Sequence, residues 1–204
     1  MKRINILISG IFALSLTACS LTSPTSRSND IEAPIFASNP DVNYNIRDVR
    51  VSVPGTLSVS EANVYYPIAD IVWRGDAYGE RHKQVELLVD EAMTRGLHTL
   101  DGARAIYVDI EIKRFHSLTE RAHYTVGGVH SIKFLLSLRD VKTGAVISPP
   151  RLVNADFKAF GGTRAVAAEH NGQTPKVRIM SHLAGVIQQE VITQTTVDAV
   201  ALLR

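Results

Sequence analysis

The sequence predicts an α+β domain, a two-layer sandwich in which a mostly antiparallel sheet carries two helices packed on one face. Three observations lead there. Ile106 to Ile112 and Ile132 to Leu138 alternate apolar and polar residues with the period of a half-buried strand. Glu80 to Leu97 and the stretch after Thr174 repeat apolar residues every three or four positions, as amphipathic helices do. The order is strands, helix, strands, helix, and one sheet with both helices on its apolar face buries every stripe at once.

The chain opens with a positive start, Met1-Lys2-Arg3, and an uncharged run from Ile4 to Leu16 rich in Ile, Leu and Phe. Small residues before a cut complete the pattern of a secretory signal. The run is shorter than the roughly 20 residues that span a bilayer. Leu16-Thr17-Ala18-Cys19 resembles the lipobox of bacterial lipoproteins and uses the chain's single cysteine. The resemblance implies a diacylglycerol on the Cys19 sulfur, cleavage before it, and several acyl chains that together anchor stably. Ser20 in place of Asp implies sorting to the outer membrane, periplasm-facing. The expected divisions are a signal peptide over 1–18, a lipidated N-terminus and linker over 19–44, one domain over 45–194 and a tail over 195–204.

Composition narrows the function. Of the 204 residues, 45% are hydrophobic and 21% charged, which is ordinary for a globular protein. Loss of residues 1–18 takes Lys2 and Arg3 and leaves 20 basic against 20 acidic side chains. A chain without a basic surplus lacks the general grip on nucleic acid, so no nucleic-acid partner is expected. A lone cysteine gives no disulfide framework, and the domain must rely on its apolar core.

Ser20 to Asp41 is rich in Ser, Thr, Pro and Asn and reads as a tether. Val49, Val51 and Val53 alternate with Arg50 and Ser52 as a strand, which Pro54-Gly55 breaks. Leu57 and Val59 begin a further extended stretch, Ala69 to Trp73 reads as a short strand, and Arg74-Gly75-Asp76 turns out of it. In the first helix Val85, Leu88, Val89, Ala92 and Met93 share a face, and Gly96 weakens its end. Asp140-Val141-Lys142-Thr143-Gly144 is a hairpin turn with Gly144 free to take positive φ. The return strand starts at Val146-Ile147, is interrupted by Pro149-Pro150, and continues through Val153, Ala155 and Phe157. Gly161-Gly162 opens a polar loop. Thr174-Pro175 starts the last helix, with Val177, Met180, Leu183, Ala184, Ile187 and Val191 as its stripe. The residues after Gln194 are β-branched and take no assignment.

Several features invite a site. His116, His123 and His130 recur every seven residues, and three imidazoles can hold zinc or copper. Seven is odd, so a straight strand would put His116 and His123 on opposite faces. The set is read as exposed loop or edge histidines, with no metal and no cofactor. Thr125-Val126-Gly127-Gly128-Val129-His130-Ser131 carries more weight. Paired glycines between strands mark a bulge, a bend or the close approach of another backbone. This segment is the candidate partner-binding edge, with Ala159-Phe160-Gly161-Gly162 as a second rim. Arg74-Gly75-Asp76 matches an integrin-binding tripeptide, which chance supplies readily. The chain lacks G-x-S-x-G, a phosphate loop and H-E-x-x-H, and lipidation would consume its only thiol. No enzyme and no catalytic residue is expected.

Leu118 to Ile132, with Thr119-Glu120-Arg121-Ala122-His123 and the Gly127-Gly128 pair, and Arg139-Asp140-Val141-Lys142-Thr143-Gly144 resemble an uncharacterised family of proteobacterial lipoproteins. That family implies no activity. In architecture alone the layout is similar to transporter auxiliary lipoproteins, the lipopolysaccharide-assembly lipoprotein and the amino-terminal domain of the Tol translocation protein. The expectation is a lipid-anchored envelope protein that serves as a non-enzymatic binding, assembly or transport accessory subunit, with an envelope protein as partner. Its rivals are a carrier holding a lipid or glycan between helices and sheet, and a regulator that binds peptidoglycan.

Overall fold

The structure is a computed structural model that describes residues 44–202, with side chains through residue 194. The signal, Cys19, the tether and the side chains of the tail lie outside the described residues.

Four rows of strand form one open sheet. Its centre is a long hairpin of β3 (Arg104–His116) and β4 (Gly128–Asp140), antiparallel from Ile106↔Asp140 to His116↔Ser131. Beyond β3 run β1 (Tyr44–Ser52) and β2 (Ile71–Val72), which cover its two ends. Beyond β4 run β5 (Val146–Asn154) and β6 (Phe157–Ala159). The mixed α+β architecture is as expected, but β1 and β2 run parallel to β3. The reason is topological: α1 (Arg81–Leu97) lies between these strands and β3 in sequence, and a helical crossover returns the chain in the same direction.

The alternation in β3 and β4 becomes burial. Ile106, Val108, Ile110 and Ile112 meet Phe134, Leu136 and Leu138 on the covered face, all at most 2% exposed. Each such side chain contributes about 2 kcal/mol of burial. Polar partners pair on the other face, where Asp109 accepts from Arg50 and from Arg139. The hairpin turn is built as read: Gly144 sits at φ 70°, and Asp140 Oδ1 accepts from the N–H of Lys142 and Thr143. The Thr143 amide, then Arg104, hold the Asp140 carboxyl down to about 2. Pro149 and Pro150 fall where the register of β5 on β4 slips, on an edge strand that can spare their missing N–H groups.

Helix α1 and α4 (Pro175–Leu202) pack against each other and on the apolar face. Helix α1 buries the five residues of its stripe, and Glu80 caps it by accepting from the His82 and Lys83 amides. Gly96 does more than weaken a helix end. A Cβ there would lie 2.3 Å from the Ala184 carbonyl oxygen, so α1 and α4 touch through it. In α4 the buried stripe is Ile179, Met180, Leu183, Ile187 and Val191, with Val177 exposed, a shift of part of the expected face. The helix continues through Leu202.

Two further helices were not expected. Thr119 caps the one-turn α2 (Glu120–His123) through the Ala122 amide. The polar stretch after Gly161 forms α3 (Gly162–His170), which buries only Ala165. A helix with so little apolar surface leaves almost no periodic signal.

Candidate functional site

The site is built at the end of the sheet where β3 stops at His116 and β4 begins at Gly128. There the two glycine pairs of the sequence meet. A Cβ on Gly161 would fall 2.0 Å from the Gly127 nitrogen and 2.4 Å from its Cα. Gly127 and Gly128 hold φ of 73° and 154°, and Gly162 holds 57°. Side chains would be strained at these angles and would also fill the contact. The Gly127 amide is fixed to the Ala122 carbonyl at 2.8 Å, which ties α2 into the junction.

This junction sorts the candidate segment. Val126, 73% exposed, and Val129, 51% exposed, face solvent. Thr125 is exposed and its hydroxyl donates to the Arg121 carbonyl. Ser131 is half-buried beside His116. His130 turns inward and is 1% exposed.

The three histidines are buried, which corrects the reading of them as exposed. His116 Nε2 lies 3.0 Å from the Pro67 carbonyl and its ring stacks on Tyr66. His123 Nε2 is 3.0 Å from Glu169 Oε1. His130 Nδ1 is 3.0 Å from Ser117 Oγ, and its ring leans on Phe157. Each has its own polar partner, which sequence spacing could not reveal. Among the described residues no three His, Cys, Asp or Glu are grouped to hold a metal.

A cleft of about 250 Å³ opens beside α2, lined among others by Arg74, Ser117, Thr119, His123, Glu169 and Lys176. Its charges are largely answered within the protein. Arg74 pairs with Glu61 at 2.9 Å and lies 3.8 Å from Glu120, while Lys176 reaches Asp76 at 2.6 Å. Arg74 and Asp76 of the tripeptide therefore serve internal ion pairs, and the Trp73 indole also donates to Asp76 at 2.8 Å. Gly75 lies against that indole: a Cβ would come within 2.2 Å of the ring.

Ser117 and His130 have the separation of a nucleophile and its base. Burial, then the nearby Arg178, His123 and His182, lower the His130 pKa to about 3. A base that weak accepts a proton poorly from a hydroxyl near neutral pH. The pair is a buried hydrogen bond closing the end of the sheet.

Around the junction lies a basic aromatic cluster that the sequence did not reveal. The Arg164 guanidinium lies 4.0 Å and that of Arg178 3.6 Å from the Phe160 ring centre. Arg178 also donates to the Lys158 carbonyl at 2.9 Å. Arg164 on α3 follows Phe160 by four residues, but Arg178 comes from α4, and nothing in its position along the chain joins it to them.

These features define a small α+β domain with a rigid glycine-crossed corner and a self-neutralised cleft. The chain belongs to DUF6778, a family of unknown function whose model matches residues 44–203. No curated protein matches significantly. Among solved structures it is similar to a protein of Caulobacter crescentus CB15 provisionally described as a lipoprotein, at 16% identity over 54% of this chain and 83% of that one, TM-score 0.34. A DUF330 protein from Xanthomonas campestris is 14% identical over 74% and 88%, TM-score 0.39. An uncharacterised protein is 15% identical over 76% and 91%, TM-score 0.36. These likenesses are distant, and no residue role is taken from them.

Proposed function

We propose that the protein is a lipid-anchored lipoprotein of the cell envelope, facing the periplasm from the outer membrane, and acts there as a non-enzymatic binding or assembly subunit. The observation that carries this reading is the combination of Leu16-Thr17-Ala18-Cys19 behind an apolar run with an exposed apolar corner on the folded domain. The lipid on Cys19 raises the local concentration of that corner at the membrane, so a modest contact suffices. Among the described residues no helix is long and apolar enough to cross a membrane.

The carrier alternative gains no support from the core. It requires an unfilled apolar space between helices and sheet. That space holds Leu88, Met93, Phe134, Leu136, Leu183 and Ile187, all buried in one cluster. The non-enzymatic reading draws on the depressed basicity of His130 and on the paired charges of the cleft.

The test is labelling of growing cells with radioactive palmitate. Label on the wild-type chain, absent from Cys19→Ala together with loss of cleavage, supports the reading. Normal processing and membrane attachment of Cys19→Ala would sink it.

A further inference from the structure

We propose that the Phe160 corner is a seat for an anionic phospholipid surface, the headgroup layer of the membrane to which the chain is anchored. The inference rests on the lipid-anchored reading above and adds a second, protein-borne contact with the bilayer.

Two guanidiniums converge on one phenyl ring, 3.6 and 4.0 Å from its centre. Among the described ion pairs, neither Arg164 nor Arg178 has a carboxylate, although Arg50, Arg74, Arg81, Arg104, Arg139 and Arg151 all do. Burial and the charge of Arg164 both disfavour the protonated form of Arg178. The ring quadrupole returns only part of that cost. A phosphodiester at the cluster would satisfy both cations with charge-assisted hydrogen bonds.

The surroundings favour a lipid surface over a soluble anion. Val126 projects beside the cluster, its backbone packed on Gly161 next to Phe160. Val129 and Lys158 stand opposite each other where β4 pairs with β6. Exposed apolar side chains next to unpaired cations are the signature of an interfacial contact, in which valines enter the headgroup boundary and cations meet phosphates. The tether allows it. β1 begins with Tyr44 beside Arg104, at the end of β3 away from this corner. Fully extended, the residues between Cys19 and Tyr44 reach roughly 80 Å, about twice the roughly 40 Å length of β3.

The experiment uses the lipidated full-length protein in vesicles. Cys19 is the only cysteine, and its thiol would be blocked by lipid, so Val126→Cys gives one site for a fluorescent probe. A second variant, Lys142→Cys, places the probe on the hairpin turn at the other end of the sheet. Vesicles contain phosphatidylethanolamine with or without phosphatidylglycerol, and a quencher on the lipid headgroup. The expected result is strong quenching of the probe at 126, weak quenching at 142, and loss of the difference without phosphatidylglycerol. The difference should also vanish in about 1 M salt, which screens charges beyond a few ångström, and in Arg164→Gln/Arg178→Gln with an unchanged melting temperature. Flotation with the vesicles but equal quenching at the two positions would overturn the inference alone. Failure to float would overturn it together with the lipid anchor.

Discussion

Gly127 and Gly161 are locked backbone to backbone, so close that a Cβ on Gly161 would lie 2.0 Å from the Gly127 nitrogen. This contact joins the start of β4 to the start of α3 and sets the direction in which Val126 and Phe160 leave the corner. Replacing Gly161 by Ala forces the backbone apart, at about 3 kcal/mol, the upper part of the range for overpacking. For a domain of this size that is a fall of roughly 6–12 °C in melting temperature. Gly185→Ala is the control, because nothing lies within 4 Å of a Cβ there and the glycine lies in the interior of α4. It should stabilise by about 0.5–1 kcal/mol. Calorimetry of both variants decides the matter; equal melting temperatures would contradict the packing described.

The buried histidines make stability depend on pH. The folded protein holds the His130 pKa at about 3, whereas an unfolded chain titrates near 6.5. As pH falls below about 6.5, the unfolded state takes up a proton that the folded state refuses. Stability from this group is complete above about 6.5 and is lost as pH falls toward 3, at roughly 1.4 kcal/mol per unit. Burial shifts His116 and His182 the same way and steepens the loss. Urea denaturation at a series of pH values should show this slope, and His130→Gln should flatten it. An unchanged slope in that variant would remove His130 from the explanation.

Trp73 reports on the tripeptide turn. It is the chain's only tryptophan, is 1% exposed, and donates to Asp76 over the face of Gly75. Gly75→Ala should push the indole out of place, shift its emission to the red and destabilise by about 1–3 kcal/mol. Native emission from the variant would mean that the ring does not lie on Gly75.

The sequence was most legible where one period dominates. The stripe of α1 and the alternation in β3 and β4 became core residue for residue, because burial on a single face writes itself into the pattern. The glycine pairs were legible in part: they left a bulge, a bend or a close backbone approach open, and the structure makes the approach, between Gly127 and Gly161. Parallel pairing of β1 was not, since alternation carries no direction. Helix α3 was missed because it buries only Ala165. The Arg164–Phe160–Arg178 cluster was invisible for a different reason: Arg178 lies on α4, and only the fold brings it to Phe160.

Crosslinking of the tagged, lipidated protein in living cells, followed by mass spectrometry, tells a binding subunit from a solitary anchored domain. A lipid-anchored binding subunit predicts one abundant envelope protein, recovered with wild type and lost with Cys19→Ala, which removes the anchor. Recovery of nothing above background, or the same recovery from Cys19→Ala, would contradict an anchored binding subunit.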